Sequence, residues 1–395
     1  MMNILRNMLL AAALCLLSGC INDYPGDEGG ATGSTVVLDL AVGTLAASQN
    51  PPPDELIHTL RIVLIDSDNN TIEANELIQF DSPVREYVFG PRETQPGRKK
   101  VFLIANEEGT ASVNGQEGAS LTTLLQSQNT NGQQFEQLVN SCWFVPDFGE
   151  QMVLTASYEF DLQAGSSPVR KTCYLVHAAT KFEFIFENVG ENPIRIDELK
   201  LSAMADQMYL MANLGPSEKN KTLNGRSYYW IDWLKAVGDA TSAEPGLPEN
   251  TIINEQYGWI SNYALPDGTT HETVDILKQL DRDETYWTIG AGQTLTLPTL
   301  YFPESRYIPE GESEQQYSFT ITPTDCDSGV SKQFADNILN NVKALFRNTQ
   351  VKIVATFRYT APEPEPEPDP ENIIMELKIG VCPWYTEEIE IPTFD

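Results

Sequence analysis

Short runs in which every second residue is apolar, each cut off by turn residues, constrain this chain more than any other feature. Side chains of an extended strand point alternately to its two faces, so such a run buries one face and wets the other. Thr35–Val42 (TVVLDLAV) is the first of them. Met152–Asp161 sets Val153, Thr155 and Ser157 against Leu154, Ala156 and Tyr158. Lys181–Glu187 puts Phe182, Phe184 and Phe186 on one face, and Pro193–Met204 and Gln207–Met211 continue the pattern. Leu60–Asp66 (LRIVLID) and Lys100–Ala105 (KVFLIA) are apolar enough to predict strands covered on both faces. The expectation is an all-β chain with minor α content. A composition change at Gly165–Pro168 (GSSP) divides it into two β-rich domains, 35–172 and 173–395.

Helical spacing is rarer. Ser120–Gln126 and Gln133–Val139 predict short helices, and Phe334, Ile338, Val342 and Leu345 predict a longer one over Ser331–Phe346. Gln350–Tyr359 (QVKIVATFRY) and Ile373–Val381 (IIMELKIGV) then read as strands. Between them Ala361–Glu371 (APEPEPEPDPE) cannot build a ladder, and its alternating Pro and acid favour a stiff, solvated connector. Pro51-Pro52-Pro53 makes Leu45–Glu55 a linker for the same reason.

The first twenty residues set the compartment. Arg6 is followed by an apolar stretch, Met8–Leu17, too short to span a bilayer and of signal-peptide length. It ends in Leu17-Ser18-Gly19-Cys20, the pattern of a bacterial lipobox. Cleavage between Gly19 and Cys20 removes a signal peptide, 1–19, and leaves Cys20 as the lipidated N-terminus. Several acyl chains such as palmitate on one cysteine anchor stably, since each buried CH₂ contributes about 0.8 kcal/mol. Ile21–Ser34 is Gly- and Asp-rich without apolar period, so 20–34 reads as a flexible leash.

Composition and spacing argue against most chemistry. Lys plus Arg number 25 and Asp plus Glu 56, a formal net charge of −31, which argues against nucleic acid as a partner. His58, His177 and His271 are far apart in sequence, so an imidazole-rich metal site is not expected. Asp66, Asp68 and Asn70 imitate a calcium loop, but Thr71 replaces its glycine and Leu77 its bidentate acid, so the segment reads as a turn. There is no GxSxG and no phosphate-cradling glycine loop, and Gly290-Ala291-Gly292 reads as a turn. His177 and Cys173 share a predicted strand, a structural arrangement rather than a nucleophile and its base. No catalytic residue, cofactor or metal is expected, and the chain reads as a non-enzyme. Cys142, Cys173, Cys326 and Cys382 allow three disulfide pairings in an oxidising compartment, or buried free thiols.

The run Tyr228-Tyr229-Trp230-Ile231-Asp232-Trp233, with Trp259 following, has three readings. It fills a core, anchors an interface, or supplies a glycan-stacking platform of Trp230, Trp233 and Trp259.

In order along the chain these features resemble the fimbrillin superfamily of Bacteroidales, the lipoprotein subunits of type V pili. The resemblance rests on the lipobox at Cys20, the early strand Thr35–Val42, and the strand Leu60–Asp66 ending in aspartate. It continues with a strand ending in Ala105-Asn106, the run Ala178–Glu187 (AATKFEFIFE), and Ile379–Trp384 before the C-terminus. It implies two tandem β-sandwich domains of transthyretin-like, Greek-key topology. It also implies donor-strand exchange: the first strand is cut away after an arginine, and a neighbour's strand fills the groove. The implied partners are other fimbrial subunits, the outer membrane through the lipid, and host or bacterial surface ligands. Here the chain departs from the pattern, because Ile21–Leu60 contains no Lys or Arg. A first strand that cannot be cut off stays in its own groove, which points to an anchor or accessory subunit rather than a shaft subunit. Val351–Tyr359 and Ile374–Val381 are then the candidate partner-facing or donor strands. The alternative is a surface glycan-binding lipoprotein.

Overall fold

Val36, Leu38, Leu40 and Val42 of strand β1 (Val36–Thr44) are buried while the residues between them are half-exposed, as the alternation demands. The computed structural model describes residues 36–45, 55–127, 131–148, 151–165, 169–243, 258–280, 287–313, 315–339, 342, 344–359 and 373–384. All of them belong to one unit beginning at Thr35. Residues 1–34, the linker 46–54 and the Pro-acid segment lie outside the described residues.

The first sandwich continues with β2 (Ile57–Asp66), β3 (Thr71–Val84), β4 (Glu86–Thr94), β5 (Gly97–Ala105), β6 (Thr110–Val113), β7 (Gln116–Glu117), α1 (Leu121–Gln126), α2 (Gly132–Ser141), β8 (Trp143–Pro146), β9 (Leu154–Leu162) and β10 (Val169–His177). Its main sheet runs β3-β2-β5-β9-β10-β1-β4. β10 turns the corner, because Val169 through Leu175 pair with β1 while Val176 and His177 pair with β9. The inner faces meet in a core that includes Leu38, Leu40, Ile62, Leu64, Leu103 and Leu175. The other face of β2 and β5 is covered too: Val63, Ile65, Phe102 and Ile104 pack on Leu121, Leu125, Phe135 and Val139 of the two helices. That double cover explains why these strands are apolar without alternation. Ser120 and Asn131 cap α1 and α2 by accepting from the Thr123 and Gln134 amides.

The chain continues with β11 (Thr180–Asn188), β12 (Ile194–Ala205), β13 (Met208–Tyr209), β14 (Asn220–Leu223), β15 (Arg226–Tyr229), α3 (Trp230–Ala243), β16 (His271–Asp275), β17 (Trp287–Ile289), β18 (Thr294–Thr296), β19 (Leu300–Phe302), β20 (Ser318–Asp325), β21 (Phe334–Ile338), β22 (Thr349–Tyr359) and β23 (Ile373–Pro383). β13 returns to pair with β8 beside the first sandwich, β14 and β15 form a ribbon of their own, and the rest build the second sandwich. One layer is β18-β11-β22-β23 and the other β16-β12-β20-β21, with β19 and β17 pairing off β11 and β12. Phe182, Phe184 and Phe186 meet Ile196, Leu199, Leu201 and Ile321 between them. The fold is thus all-β, with two sandwiches and minor helix. Both open alike: β11 pairs parallel with β22 as β1 does with β10, and both opening strands alternate strictly in burial.

Two expectations change. The boundary expected at 172/173 falls inside β10, which belongs to the first sheet, so the sheets hand over between His177 and Thr180. No helix forms over 331–346 among the described residues. Phe334–Ile338 is instead the edge strand β21, and Leu339, Val342, Leu345 and Phe346 enter the core without helical structure. The segment is rich in Asp and Asn, which favour turns over helix interiors, and Asp336 adopts a left-handed φ of 48°. Leu345 exchanges both backbone hydrogen bonds with Ser305, at 2.8 and 3.1 Å, which replaces helical bonds by tertiary ones. The longest helix described is α3, whose Trp230, Trp233, Leu234 and Val237 are all buried.

A buried ion pair ties the two sandwiches. The Arg347 guanidinium grips Glu304 bidentately at 2.9 and 2.7 Å, both side chains being fully buried. It also donates to the Leu210 and Tyr209 carbonyls and to Thr155 Oγ1 of β9. Removing one partner of such a pair strands a buried charge. Arg347→Met is therefore expected to cost about 3–5 kcal/mol of stability by urea denaturation. Adding Glu304→Leu to the same chain restores a large part of that loss.

Candidate functional site

The feature with most bearing on function is the seat of β1. It lies between β10 and β4, so both of its backbone edges are engaged. Leu38 through Thr44 pair in parallel with Val169 through Leu175. Val36 through Gly43 pair antiparallel with Thr94 through Glu86, with a bulge between Leu38 and Leu40. The ladders continue past the strand, since the Thr44 amide donates to Arg85 O and the Leu45 amide to Leu175 O, each at 3.1 Å. Four side chains, Val36, Leu38, Leu40 and Val42, fill the floor at 0–1% exposure. Each is worth about 1.5–3 kcal/mol of burial. Asp39, pushed outward at the bulge, faces the Arg170 side chain at 3.7 Å across the surface, which adds little.

Gly90 on β4 makes the close approach possible. A Cβ there would stand 2.7 Å from Leu38 O and 2.8 Å from Asp39 Oδ1, and its φ of +132° suits glycine alone. Without β1, the facing edges of β10 and β4 would lose their partners and an apolar floor would be uncovered, which is the surface a donated strand requires.

The far end of the linker is also held. Glu55 is buried where the chain re-enters the described structure, with Lys181 Nζ at 3.1 Å and the Tyr301 hydroxyl donating at 3.3 Å. Its backbone carbonyl meets His177 Nε2 at 3.3 Å. His177 Nδ1 meets Asn348 Oδ1 at 2.9 Å, and its ring stacks on Trp384 at 4.2 Å. Tyr301 stacks on the other neighbour of this cluster, again Trp384, at 5.4 Å, with Lys181 Nζ over the same indole. The linker end, the sandwich junction and the end of β23 thus share one buried cluster. Burial pushes the His177 pKa below the ordinary imidazole value, outweighing the opposing pull of Glu55.

The other expected residues fall as follows. Gly19 and Cys20 lie outside the described residues. Trp230, Trp233 and Trp259 are 5%, 0% and 7% exposed, so they form no exposed stacking strip. Trp233 packs edge-to-face on Trp259 at 6.1 Å and Trp230 on Phe346 at 5.5 Å, the contacts of core filling. β22, which carries Val351–Tyr359, is enclosed by β11 and β23 and offers no edge. β23, which carries Ile374–Val381, is the last strand of its layer among the described residues, with Ile374 exposed. Asp66 caps its turn by accepting from the Asp68 and Asn69 amides at 3.0 Å and pairs with Lys99, as the turn reading requires. None of Cys142, Cys173, Cys326 and Cys382 forms a disulfide with another, and burial pushes the Cys142 and Cys173 thiols up to about 12. Neither hydrogen-bonded partner of His177 is a thiol.

No family model matches the chain, and no curated protein matches it. Solved structures do. The C-terminally truncated tip fimbrial protein Mfa3 of Porphyromonas gingivalis is similar at 13% identity and a TM-score of 0.49, over 89% of this chain and 100% of that one. A fimbrilin of Porphyromonas gingivalis is similar at 12% identity and 0.42, over 89% and 99%. A fimbrial assembly protein of Parabacteroides distasonis is similar at 10% identity and 0.40, over 88% and 99%. The solved neighbours of this chain are Bacteroidales fimbrial proteins.

Two outcomes follow from this geometry. Gly90→Ala is expected to lower stability by at least about 1 kcal/mol, read as a shift in urea midpoint, because it forces β1 away from β4. His177 binds its proton less readily folded than unfolded, so its contribution is present above the unfolded pKa of about 6.5 and is lost as pH falls below it. Asp232 opposes this: burial raises it to about 6, so its protonation on acidification stabilises the fold. The loss of stability from about pH 7.5 to 5.5 should therefore be smaller in His177→Gln than in the parent, measured by denaturation at each pH.

Proposed function

We propose that this chain is a non-enzymatic, cell-surface lipoprotein of the fimbrial type, held in the outer membrane by acyl chains on Cys20. In this reading it serves as an anchor or accessory subunit of a type V pilus and, through the filament, cell adhesion. Its partners are other fimbrial subunits, met by strand addition.

One observation carries the reading. β1 is a central strand with both edges paired and its floor buried. Between Arg6 and Arg61 no Lys or Arg stands where a trypsin-like protease could free that strand. Arg61 itself is buried in β2, where it grips Glu107 bidentately at 2.8 Å and is closed to a protease. A subunit that keeps its first strand keeps its lipid, because both lie on the same uncut segment. It cannot accept a neighbour's strand in the first sandwich, so it terminates a chain of exchanges at the membrane. It can still present the outer edge of β23.

The mature N-terminus tests this directly. Mass spectrometry on protein from the native cell is expected to find an acylated Cys20 as the first residue. A mature chain beginning between residues 45 and 61 would overturn the anchor role and make this a shaft subunit.

A further inference from the structure

A trough crosses the outer face of the β16-β12-β20-β21 layer, away from β1 and its groove. It encloses about 400 Å³, within the usual range for small-molecule sites. All four strands contribute. His271 and Glu272 come from β16, Ser202 from β12, Ser318 from β20, and Asp336 and Ile338 from β21. A bulge in β12 between Leu201 and Met204, with Ala203 at φ +63°, interrupts the pairing at this point. Such bulges bend a strand and re-aim side chains beside binding sites.

The lining combines two kinds of surface. Tyr307 and Ile338 keep 38% and 47% of their surface in water, two of the few large apolar side chains so exposed among the described residues. Tyr307 packs on the His271 ring at 5.0 Å, which fixes its plane. On the polar side, Glu272 and Asp336 are exposed acceptors. His271 Nε2 is buried and has no hydrogen-bond partner. That atom is closed to solvent, so it is not a contact for a ligand seated in the trough. Burial holds the His271 pKa below its ordinary value, against the pull of Asp206, so the imidazole facing the trough is neutral at physiological pH.

These features select a ligand class. Flanking carboxylates and a net charge of −31 disfavour an anion. A small ammonium ion would meet the carboxylates but has no face to lay on Tyr307 and Ile338. An uncharged ring with an apolar face and several hydroxyl groups meets both surfaces at once. We propose that this trough is a saccharide-binding site for a neutral sugar, with Tyr307 and Ile338 beneath the ring face and Glu272 and Asp336 taking its hydroxyl groups. The site lies in the second sandwich and stands whether or not the chain is a filament anchor.

The chain reports on this site through its own histidines, since it has only His58, His177 and His271. Imidazole ring signals of the full chain would be followed by NMR while glucose, galactose, mannose, fucose, N-acetylglucosamine and N-acetylgalactosamine are added in turn. Sialic acid and ethanolamine serve as the anionic and cationic probes. A His271→Gln variant assigns the His271 signal. The expected result is a saturable shift of that signal with at least one neutral sugar, with His177 unmoved. Tyr307→Ala and Asp336→Asn are both at exposed positions, and each should weaken the sugar about tenfold or more. No shift with any neutral sugar, a shift with sialic acid or ethanolamine alone, or a sugar response unchanged in both variants would each overturn the proposal.

Discussion

A strand in the middle of a sheet has two hydrogen-bonding edges and at least one face to satisfy, and β1 satisfies them all from within its own chain. Its parallel ladder with β10 and its antiparallel ladder with β4 leave no backbone edge open, and its four inward side chains complete the core. The first sandwich depends on this. β10 is the strand that turns from one layer to the other, and its length from Val169 to Leu175 has β1 as partner. The same device opens the second sandwich, where β11 pairs in parallel with β22. One plan is thus used twice without repetition of sequence. The two copies differ in what lies upstream: β1 follows a stretch, Ile21–Ser34, without Lys or Arg, whereas β11 follows directly on β10.

The sandwiches are joined by buried polar chemistry as well as by apolar packing. Arg347 and Glu304 sit in the second half of the chain, yet the guanidinium reaches Thr155 in β9. Glu55, at the end of the linker that follows β1, is clamped by Lys181 and Tyr301 beside Trp384, at the end of β23. Such groups are stable only when fully paired. They therefore tie the linker, the sandwich junction and the C-terminal strand into one arrangement. The end of β23 and the residue that leads into β2 are thus held by the same cluster.

Much of the fold is legible in local pattern. The alternation of Thr35–Val42 and of Lys181–Glu187 identifies the opening strands, because one-sided burial imposes period two. The unbroken apolar runs at Leu60–Asp66 and Lys100–Ala105 foretell cover on both faces, which α1 and α2 supply. What local pattern misreads has physical causes. Around Phe334 the helical spacing is real, but Asp and Asn weaken the helix, and β20 and Ser305 offer stronger partners. At Trp230 the i, i+3, i+4, i+7 spacing of Trp230, Trp233, Leu234 and Val237 marks a helix, yet three large indoles also suit an exposed platform. Burial decides between them, and burial depends on residues far away. The trough beside Tyr307 is beyond sequence reading altogether, since its residues come from four strands and the loop between β19 and β20, and only the tertiary fold brings them together.

The central claim is that β1 is a permanent member of the first sandwich. Native-state hydrogen exchange tests it most directly, because an amide that opens only with the whole unit reports the full unfolding free energy. The account predicts that the β1 amides exchange as slowly as those of β5, β10 and β11, with the same denaturant dependence. Exchange of β1 through a separate, low-energy opening, while β5 and β10 stay protected, would contradict it and identify β1 as a strand ready to leave.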